Sequence, residues 1–113
     1  MSNLKPTQIS SSFSKGFWRH ELEVSFRLAF DHTVNVVTES EKVVPGVSMR
    51  ILVDEGETKV IEDRNLSVLV GNRHERRFLI EGIECLVLLQ GVVGFYRISV
   101  YVGDEMVADS GYA

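Results

Sequence analysis

One cysteine and three histidines are the residues of this chain that best suit nucleophilic or acid–base chemistry: Cys85, His20, His32 and His74. A catalytic cysteine needs a lowered thiol pKa and a base within reach. Cys85 instead lies between Glu84 and an apolar leucine, and a negative charge and apolar surroundings both raise a thiol pKa. We therefore predict that Cys85 is buried and inert, and we assign no catalytic residue.

The histidines show no pattern typical of a metal site. His20 shares strand parity with Trp18 and Leu22, which would suit a ligand or cavity site. We favour a structural position instead, either at the rim of the apolar face or hydrogen-bonded in the core. The cysteine and the histidines lie far apart in sequence, without the short spacings of metal ligands. We expect neither a metal nor another cofactor.

The one basic cluster lies in the segment NRHERR, and the whole chain carries a net charge of −4. In a strand, Arg73 and Arg77 would face one way while His74 and Arg76 would face the other, so no continuous basic stripe forms. This division and the negative net charge favour a solvent-exposed part of a hairpin over a nucleic-acid-binding site. The acidic segment 54–57 lacks the ligand spacing of a calcium loop and is typical of a hairpin tip.

The segment WRHELEVSFRLAF, from Trp18 to Phe30, alternates between apolar and polar residues without a break. This period of two predicts a strand that bends or bulges, because its length exceeds that of an ordinary strand. Leu22, Val24, Phe26 and Leu28 are the predicted core residues of this face. The alternation alone leaves open whether the face covers a core, a ligand cavity or a partner.

The same alternation recurs along the chain, separated by turn residues such as Pro45-Gly46 and Gly71-Asn72. We predict an all-β fold, a single compact antiparallel sandwich or barrel of about eight strands. The apolar segments after the first lie at 47–53, 66–70, 76–80, 83–89 and 96–102. The segment 83–89 is predicted to be a central strand, because both of its faces are apolar near its end. Residues 38–44 favour a loop or the end of a second strand over a helix.

Domain organisation is predicted to be simple. Residues 1–16 hold Pro6, five serines and scattered apolar residues, which favours a flexible leader before a β domain over residues 17–113. At 113 residues and 44% hydrophobic content, the chain is long enough to fold alone. A lone cysteine, no signal-peptide pattern and no long apolar segment favour a cytoplasmic location.

The last predicted strand offers the best candidate for an interaction surface. Tyr96, Ile98, Val100 and Val102 form its apolar face, whereas Phe95, Arg97 and Tyr101 lie on the opposite face. Tyr, Phe and Arg are residue types enriched where partners dock. If this strand lies at a sheet edge, its backbone could also pair with a strand of a partner or of a second copy. If it is instead a central strand, both of its faces are covered.

From about Phe30 onward, four short motifs follow in order: Phe30-Asp31-His32, Val53-Asp54 ahead of Gly56, Leu69-Val70-Gly71, and the segment from Gly94-Phe95 to Gly103. Their order resembles that of motifs in the Fas apoptotic inhibitory molecule family. The sequence has Thr33 where that family has a glycine after the histidine, and a longer acidic segment follows. The resemblance implies a compact antiparallel β domain without enzymatic activity that acts through protein contacts in the cytosol, in survival signalling or in protection from aggregation. It assigns no site residue.

We therefore expect a non-catalytic, intracellular protein-interaction module with a protein partner, or with a second copy as a homodimer. Nucleic acid and a membrane are not expected partners. Two alternatives stay open: a carrier in which the Trp18–Phe30 face lines a barrel cavity, and a small inhibitor that occludes an effector.

Overall fold

The computed structural model describes residues 5–41, 46–92 and 95–111, with only the backbone described for Phe95. The nine strands of this described part are β1 (Thr7–Lys15), β2 (Arg19–Arg27), β3 (Asp31–Ser40), β4 (Gly46–Val53), β5 (Lys59–Ser67), β6 (Arg73–Ile80), β7 (Ile83–Val92), β8 (Phe95–Val102) and β9 (Glu105–Asp109). A short 3₁₀ turn, Asp54–Gly56, lies between β4 and β5. The all-β prediction is confirmed.

The strands form two antiparallel sheets, and in each sheet every strand pairs with its neighbours in the chain. The first sheet has the order β1-β2-β3-β4-β5 and the second has the order β6-β7-β8-β9. The buried residues of both sheets form one hydrophobic cluster, so the fold is a sandwich. The prediction that segment 83–89 is central is confirmed, because β7 lies between β6 and β8.

The predicted leader is wrong for residues Thr7–Lys15, which form β1 and pair along β2. Phe13 lies opposite Leu22 and packs against the core, while most side chains of β1 are exposed. The serine-rich composition hid the strand, because an edge strand needs few apolar residues to pair through its backbone. Residues 1–4 of the predicted leader lie outside the described residues.

The alternating segment that was predicted as one long strand is shorter in the structure. β2 begins at Arg19 and ends at Arg27, and the two ends of the segment, Trp18 and Phe30, are 67% and 71% exposed at turns. The predicted core residues Leu22, Val24, Phe26 and Leu28 are confirmed, with exposures of 7% or less. This face therefore covers a protein core.

The core lies between the inner faces of the sheets. Val34, Val36, Met49 and Ile51 come from the first sheet, and Val87, Leu89, Ile98 and Val100 come from the second. All of these residues are at most 1% exposed. The two sheets are not joined into a closed barrel by strand pairing among the described residues, and the inner face of β2 packs against protein atoms.

Two strand boundaries differ from the sequence prediction. β5 covers Lys59–Ser67, so the predicted segment 66–70 is the end of this strand followed by the connection to β6. The charged residues of β5 obscured its alternation, and a bulge opposite Val47 and Met49 interrupts its register. Residues 38–40 form the end of β3, which agrees with the predicted alternative of a strand end instead of a loop. Residues 42–44 lie outside the described residues.

The connection between the sheets, residues 68–72, passes directly over Gly91 of β7. A Cβ atom at Gly91 would lie 2.1 Å from the backbone oxygen of Leu69 and 2.5 Å from that of Val68. The backbone N–H of Gly91 donates to the oxygen of Asn72 at 2.9 Å, and the N–H of Gly71 donates to the oxygen of Gly91 at 3.1 Å. Only glycine fits this crossing.

Within the described residues, no helix has the length and apolar character needed to cross a lipid bilayer.

We expect Phe26→Ala to lower the free energy of unfolding by about 3 to 5 kcal/mol, because it removes a large side chain from a packed core. Chemical denaturation followed by circular dichroism measures this change. Val60→Ala on the outer face of β5 is the control, since Val60 is 47% exposed, and should change stability by less than about 0.5 kcal/mol. A similar small loss for Phe26→Ala would show that its face is not a core.

Candidate interaction surface

The outer face of the second sheet carries apolar side chains in neighbouring register positions. Leu86 on β7 lies opposite Tyr101 on β8, and Tyr101 lies opposite Met106 on β9. Leu86 and Tyr101 are half-buried, and Met106 is 47% exposed. The strands place these three residues in a row because paired residues of adjacent antiparallel strands share one face. We call the face of the second sheet that carries Leu86, Tyr101 and Met106 the outer surface of the second sheet.

A shallow concavity of about 400 Å³ lies on this surface, and its lining residues are Arg77, Glu84, Leu86, Tyr101, Gly103 and Asp104. The Arg77 guanidinium donates to Glu84 Oε1 at 2.5 Å and to Glu75 Oε2 at 3.3 Å. These bonds hold the arginine across the surface, and the hydrogen bond and the charge of Glu84 raise the pKa of Arg77. Leu86 and Tyr101 thus contribute apolar surface to a concavity whose other side chains, Arg77, Glu84 and Asp104, are charged.

The structure separates the three residues that sequence reasoning placed on one interaction surface. Tyr101 lies in the concavity. Arg97 shares its face but donates from Nε to the two carboxylate oxygens of Asp109 at 2.9 and 3.1 Å, and this pairing lowers the pKa of Asp109. The side chain of Phe95 lies outside the described residues. Tyr101 is therefore the residue of the predicted set that the described surface supports.

Of the two positions considered for this strand, the structure has the central one, because β8 pairs with β7 on one side and with β9 on the other. The opposite face is as predicted: Tyr96, Ile98, Val100 and Val102 are buried. Contact through the outer side chains is thus the available mode of binding at β8, and strand addition is not.

A second polar site, which sequence reasoning missed, joins both sheets at one end of the sandwich. The Nδ1 of His32 lies 3.1 Å from Asp54 Oδ2, and its Nε2 lies 2.6 Å from Glu81 Oε2. Glu81 also accepts hydrogen bonds from the backbone N–H groups of Ala29 and Phe30, both at 3.0 Å. We call His32, Asp54 and Glu81 the histidine clasp.

The histidine clasp favours a protonated imidazole between two ionised carboxylates. Partial burial would lower the pKa of His32, but its bonds to Glu81 and Asp54 outweigh burial and raise it. Burial opposes ionisation of Asp54 and Glu81 as well, yet the pKa of each carboxyl is lowered by bonds from His32 and from other donors, such as Thr58 and the Phe30 backbone. The clasp therefore acts as an ion-paired link between the sheets.

The geometry of the clasp suits a structural link better than catalysis. Both nitrogens of the His32 ring face carboxylates, so neither is directed toward an open substrate site. Among the described residues, no group of three or more His, Cys, Asp and Glu side chains is arranged to hold a metal ion. The sequence signal was weak, since 49 residues separate His32 from Glu81.

His20 is buried, in agreement with one of its two predicted structural positions, but it is not fully hydrogen-bonded. Its ring stacks on Tyr96 with centroids 5.2 Å apart and meets Phe13 edge-on at 5.7 Å. Its Nδ1 is buried and has no hydrogen-bond partner within the described part of the chain. Burial and the positive charge of Lys15 lower the pKa of His20, which keeps the imidazole neutral near pH 7.

The remaining chemical candidates from the sequence are structural. Cys85 is buried, and burial raises the pKa of its thiol to about 11. Arg73 and Arg77 are exposed on one face of β6, whereas His74 and Arg76 lie on the other, so the predicted division of the basic cluster is confirmed. The acidic segment 54–57 is a turn, and its first residue belongs to the histidine clasp.

A further apolar feature lies at the turn between β1 and β2. Phe17 is 86% exposed, and it packs edge-on against Trp18 with ring centroids 4.6 Å apart. Alternation alone gives Trp18 the same parity as the core residues Leu22 and Val24. The strand begins one residue later, so the turn directs the indole away from the core.

Comparison of the chain with protein-family models, with curated proteins and with solved structures found no match.

We expect Cys85 to react with a thiol reagent only after denaturation, because its side chain is buried and its thiol pKa is about 11. Absorbance after addition of a chromogenic disulfide reagent, with and without denaturant, measures this reactivity. Rapid labelling of the native protein would show that the cysteine is accessible and would reopen a catalytic role.

We expect the histidine clasp to make stability depend on pH. The folded pKa of His32 lies above 6.5, so its contribution is fully present below pH 6.5 and is lost as the pH rises through the folded value. The pKa of Asp54 lies below 3.8, so its contribution is present above that value and is lost in stronger acid. His32→Gln should therefore destabilise the protein most between about pH 4.5 and 6.5 and progressively less at higher pH.

His20→Phe is the matched control for this pH dependence. The folded pKa of His20 lies below 6.5, so the folded protein holds this imidazole in its neutral form. The wild-type protein therefore loses stability as the pH falls below 6.5, where the unfolded chain takes up a proton at His20. His20→Phe keeps the aromatic contacts and should gain stability relative to wild type in that acidic range. Denaturant midpoints across pH 4.5 to 9 measure both variants, and parallel pH profiles for His32→Gln and wild type would contradict the assignment.

Proposed function

We propose that this chain is a non-catalytic protein-binding module that engages its partner through the outer surface of the second sheet. The observation that carries this proposal is the row of Leu86, Tyr101 and Met106, which lies on the face of the second sheet opposite the core. Leu86 and Tyr101 of this row line the concavity. Aromatic residues and methionine are enriched in protein interfaces, and binding energy concentrates in a few anchors of this type.

The arrangement of charges supports the same proposal. Arg77 and Glu84 are paired at the rim, and Arg97 is paired with Asp109 farther along the surface. An apolar centre surrounded by polar and charged residues is the usual anatomy of a protein interface. The groups that the sequence offered for catalysis have other roles, since Cys85 packs in the core and His32 links the two sheets.

The two alternatives from the sequence differ in what supports them. An inhibitor that occludes an effector would use the same outer surface, and is a special case of the proposal in which the partner is an enzyme or a toxin. A small-ligand carrier that uses the Trp18–Phe30 face has less support, because Val24 and Phe26 from the middle of that face are packed in the core.

The cellular role is proposed from the resemblance to the Fas apoptotic inhibitory molecule family. The two motifs Phe30-Asp31-His32 and Val53-Asp54 meet in the histidine clasp through His32 and Asp54. By this resemblance the module would act in the cytoplasm, in apoptosis regulation or in protection from aggregation. The partner would be another protein or, in a homodimer, a second copy.

A photo-crosslinking experiment tests the interaction surface. A benzophenone amino acid at Met106 should yield a discrete crosslinked product, either in the native host cells or between two copies of the purified chain. The same amino acid at Val60, on the outer face of the first sheet, is a matched control because both residues are 47% exposed. Tyr101→Ser combined with Leu86→Ser should abolish the product by removing the apolar centre.

Circular dichroism of the double variant should keep the wild-type β spectrum, since both side chains face outward. Equal crosslinking at Met106 and Val60, or a product that persists in the folded double variant, would contradict the proposed surface. A double variant that unfolds is replaced by Tyr101→Ser alone, which should weaken the product at least severalfold.

A further inference from the structure

The charges around the concavity on the second sheet are not balanced within the chain. The rim carries one cation, Arg77, and two carboxylates, Glu84 and Asp104, so its formal charge is −1. Arg77 is paired with Glu84. The carboxylate of Asp104 makes no hydrogen bond or ion pair with any residue of the described part, which leaves one unpaired carboxylate in a concavity that Leu86 and Tyr101 also line.

We propose that this concavity receives an arginine side chain of the protein partner. This inference rests on the proposed function and names the chemistry that the surface recognises. The guanidinium would pair with Asp104 and lie against the Tyr101 ring, while its aliphatic portion contacts Leu86. A charged planar group with an apolar stem matches a site that combines a carboxylate, an aromatic ring and an aliphatic floor.

The positions of these three residues follow from the fold. Leu86 and Tyr101 are register partners on β7 and β8, so their side chains are adjacent on one face. Asp104 lies in the tight turn between β8 and β9, where Gly103 adopts a φ of +60°. The turn places the Asp104 carboxylate in the same concavity as Leu86 and Tyr101.

Other charged residues of the surface are less suited to bind a partner's cation. Glu75 interacts with both Arg73 and Arg77, and Asp109 is held by Arg97 and by the backbone N–H of Gly111. These carboxylates already have cationic partners, so binding an external arginine would require exchange of an existing bond. Asp104 requires no such exchange, which makes it the specific anchor.

Nuclear magnetic resonance titration of the full chain tests this inference. The probe is Nα-acetyl-L-arginine amide, at constant ionic strength, and the amide signals of Gly103, Asp104 and Tyr101 are followed. We expect saturable shifts at these positions, with a dissociation constant on the order of millimolar because the probe supplies only one side chain. The corresponding citrulline amide, which has a similar shape without the charge, should bind at least several times more weakly.

Matched variants locate the site. Asp104→Asn should weaken binding of the arginine amide by about threefold to tenfold, since it removes the anchoring charge. Glu57→Gln is the control, because Glu57 is an exposed carboxylate in the turn of the first sheet and its side chain has no partner in the described part. Tyr101→Phe should keep most of the affinity, whereas Tyr101→Ser should lose it.

The outcomes separate this inference from the proposed function. Equal binding of the citrulline and arginine amides, tighter binding of a lysine amide, or no effect of Asp104→Asn would overturn the arginine site. The crosslink from Met106 does not depend on the probe. A partner that crosslinks at Met106 and binds Asp104→Asn normally would overturn the arginine site and leave the interaction surface in place.

Discussion

The sandwich depends on one close backbone crossing, where the connection between the sheets passes over Gly91. Each sheet is a meander whose strands pair with their neighbours in sequence, so each can form through local hairpins. Only residues 68–72 turn the chain from the first meander into the second. Without a side chain at Gly91, the connection hydrogen-bonds to β7 and brings the apolar faces of both sheets together. A larger residue would force the connection outward and separate the faces that form the core.

The opposite end of the sandwich is joined by charge instead of by a covalent connection. His32 comes from the first sheet, Glu81 comes from the turn between β6 and β7, and Asp54 comes from the turn after β4. The side where β5 and β6 meet is joined by a pair between Arg76 and Asp63. The core supplies most of the stability in such a fold, and these polar links specify how the two sheets lie on each other. A histidine in one link makes that arrangement sensitive to pH near neutrality.

The pairing of charges also bears on the proposed interaction surface. Most charged residues on the outer surface of the second sheet are satisfied by neighbours, as Arg97 is by Asp109. The apolar row through Leu86 and Tyr101 is only partly covered by them. In the proposed complex, a partner that covers this row would gain apolar burial without breaking the ion pairs, and the Asp104 carboxylate would add a charge-specific contact.

The sequence by itself determined the fold class, the core faces of β2 and β8 and the buried state of Cys85, because strict alternation places every second residue on the same side of a sheet. It did not reveal β1, because an edge strand is held by backbone hydrogen bonds and leaves little apolar pattern. The tertiary structure alone decided that Trp18 lies on a turn, that β8 is not an edge and that His32 meets Glu81 across 49 residues. These features depend on where strands end and on how two separate sheets are stacked, and a period of two carries no information about either.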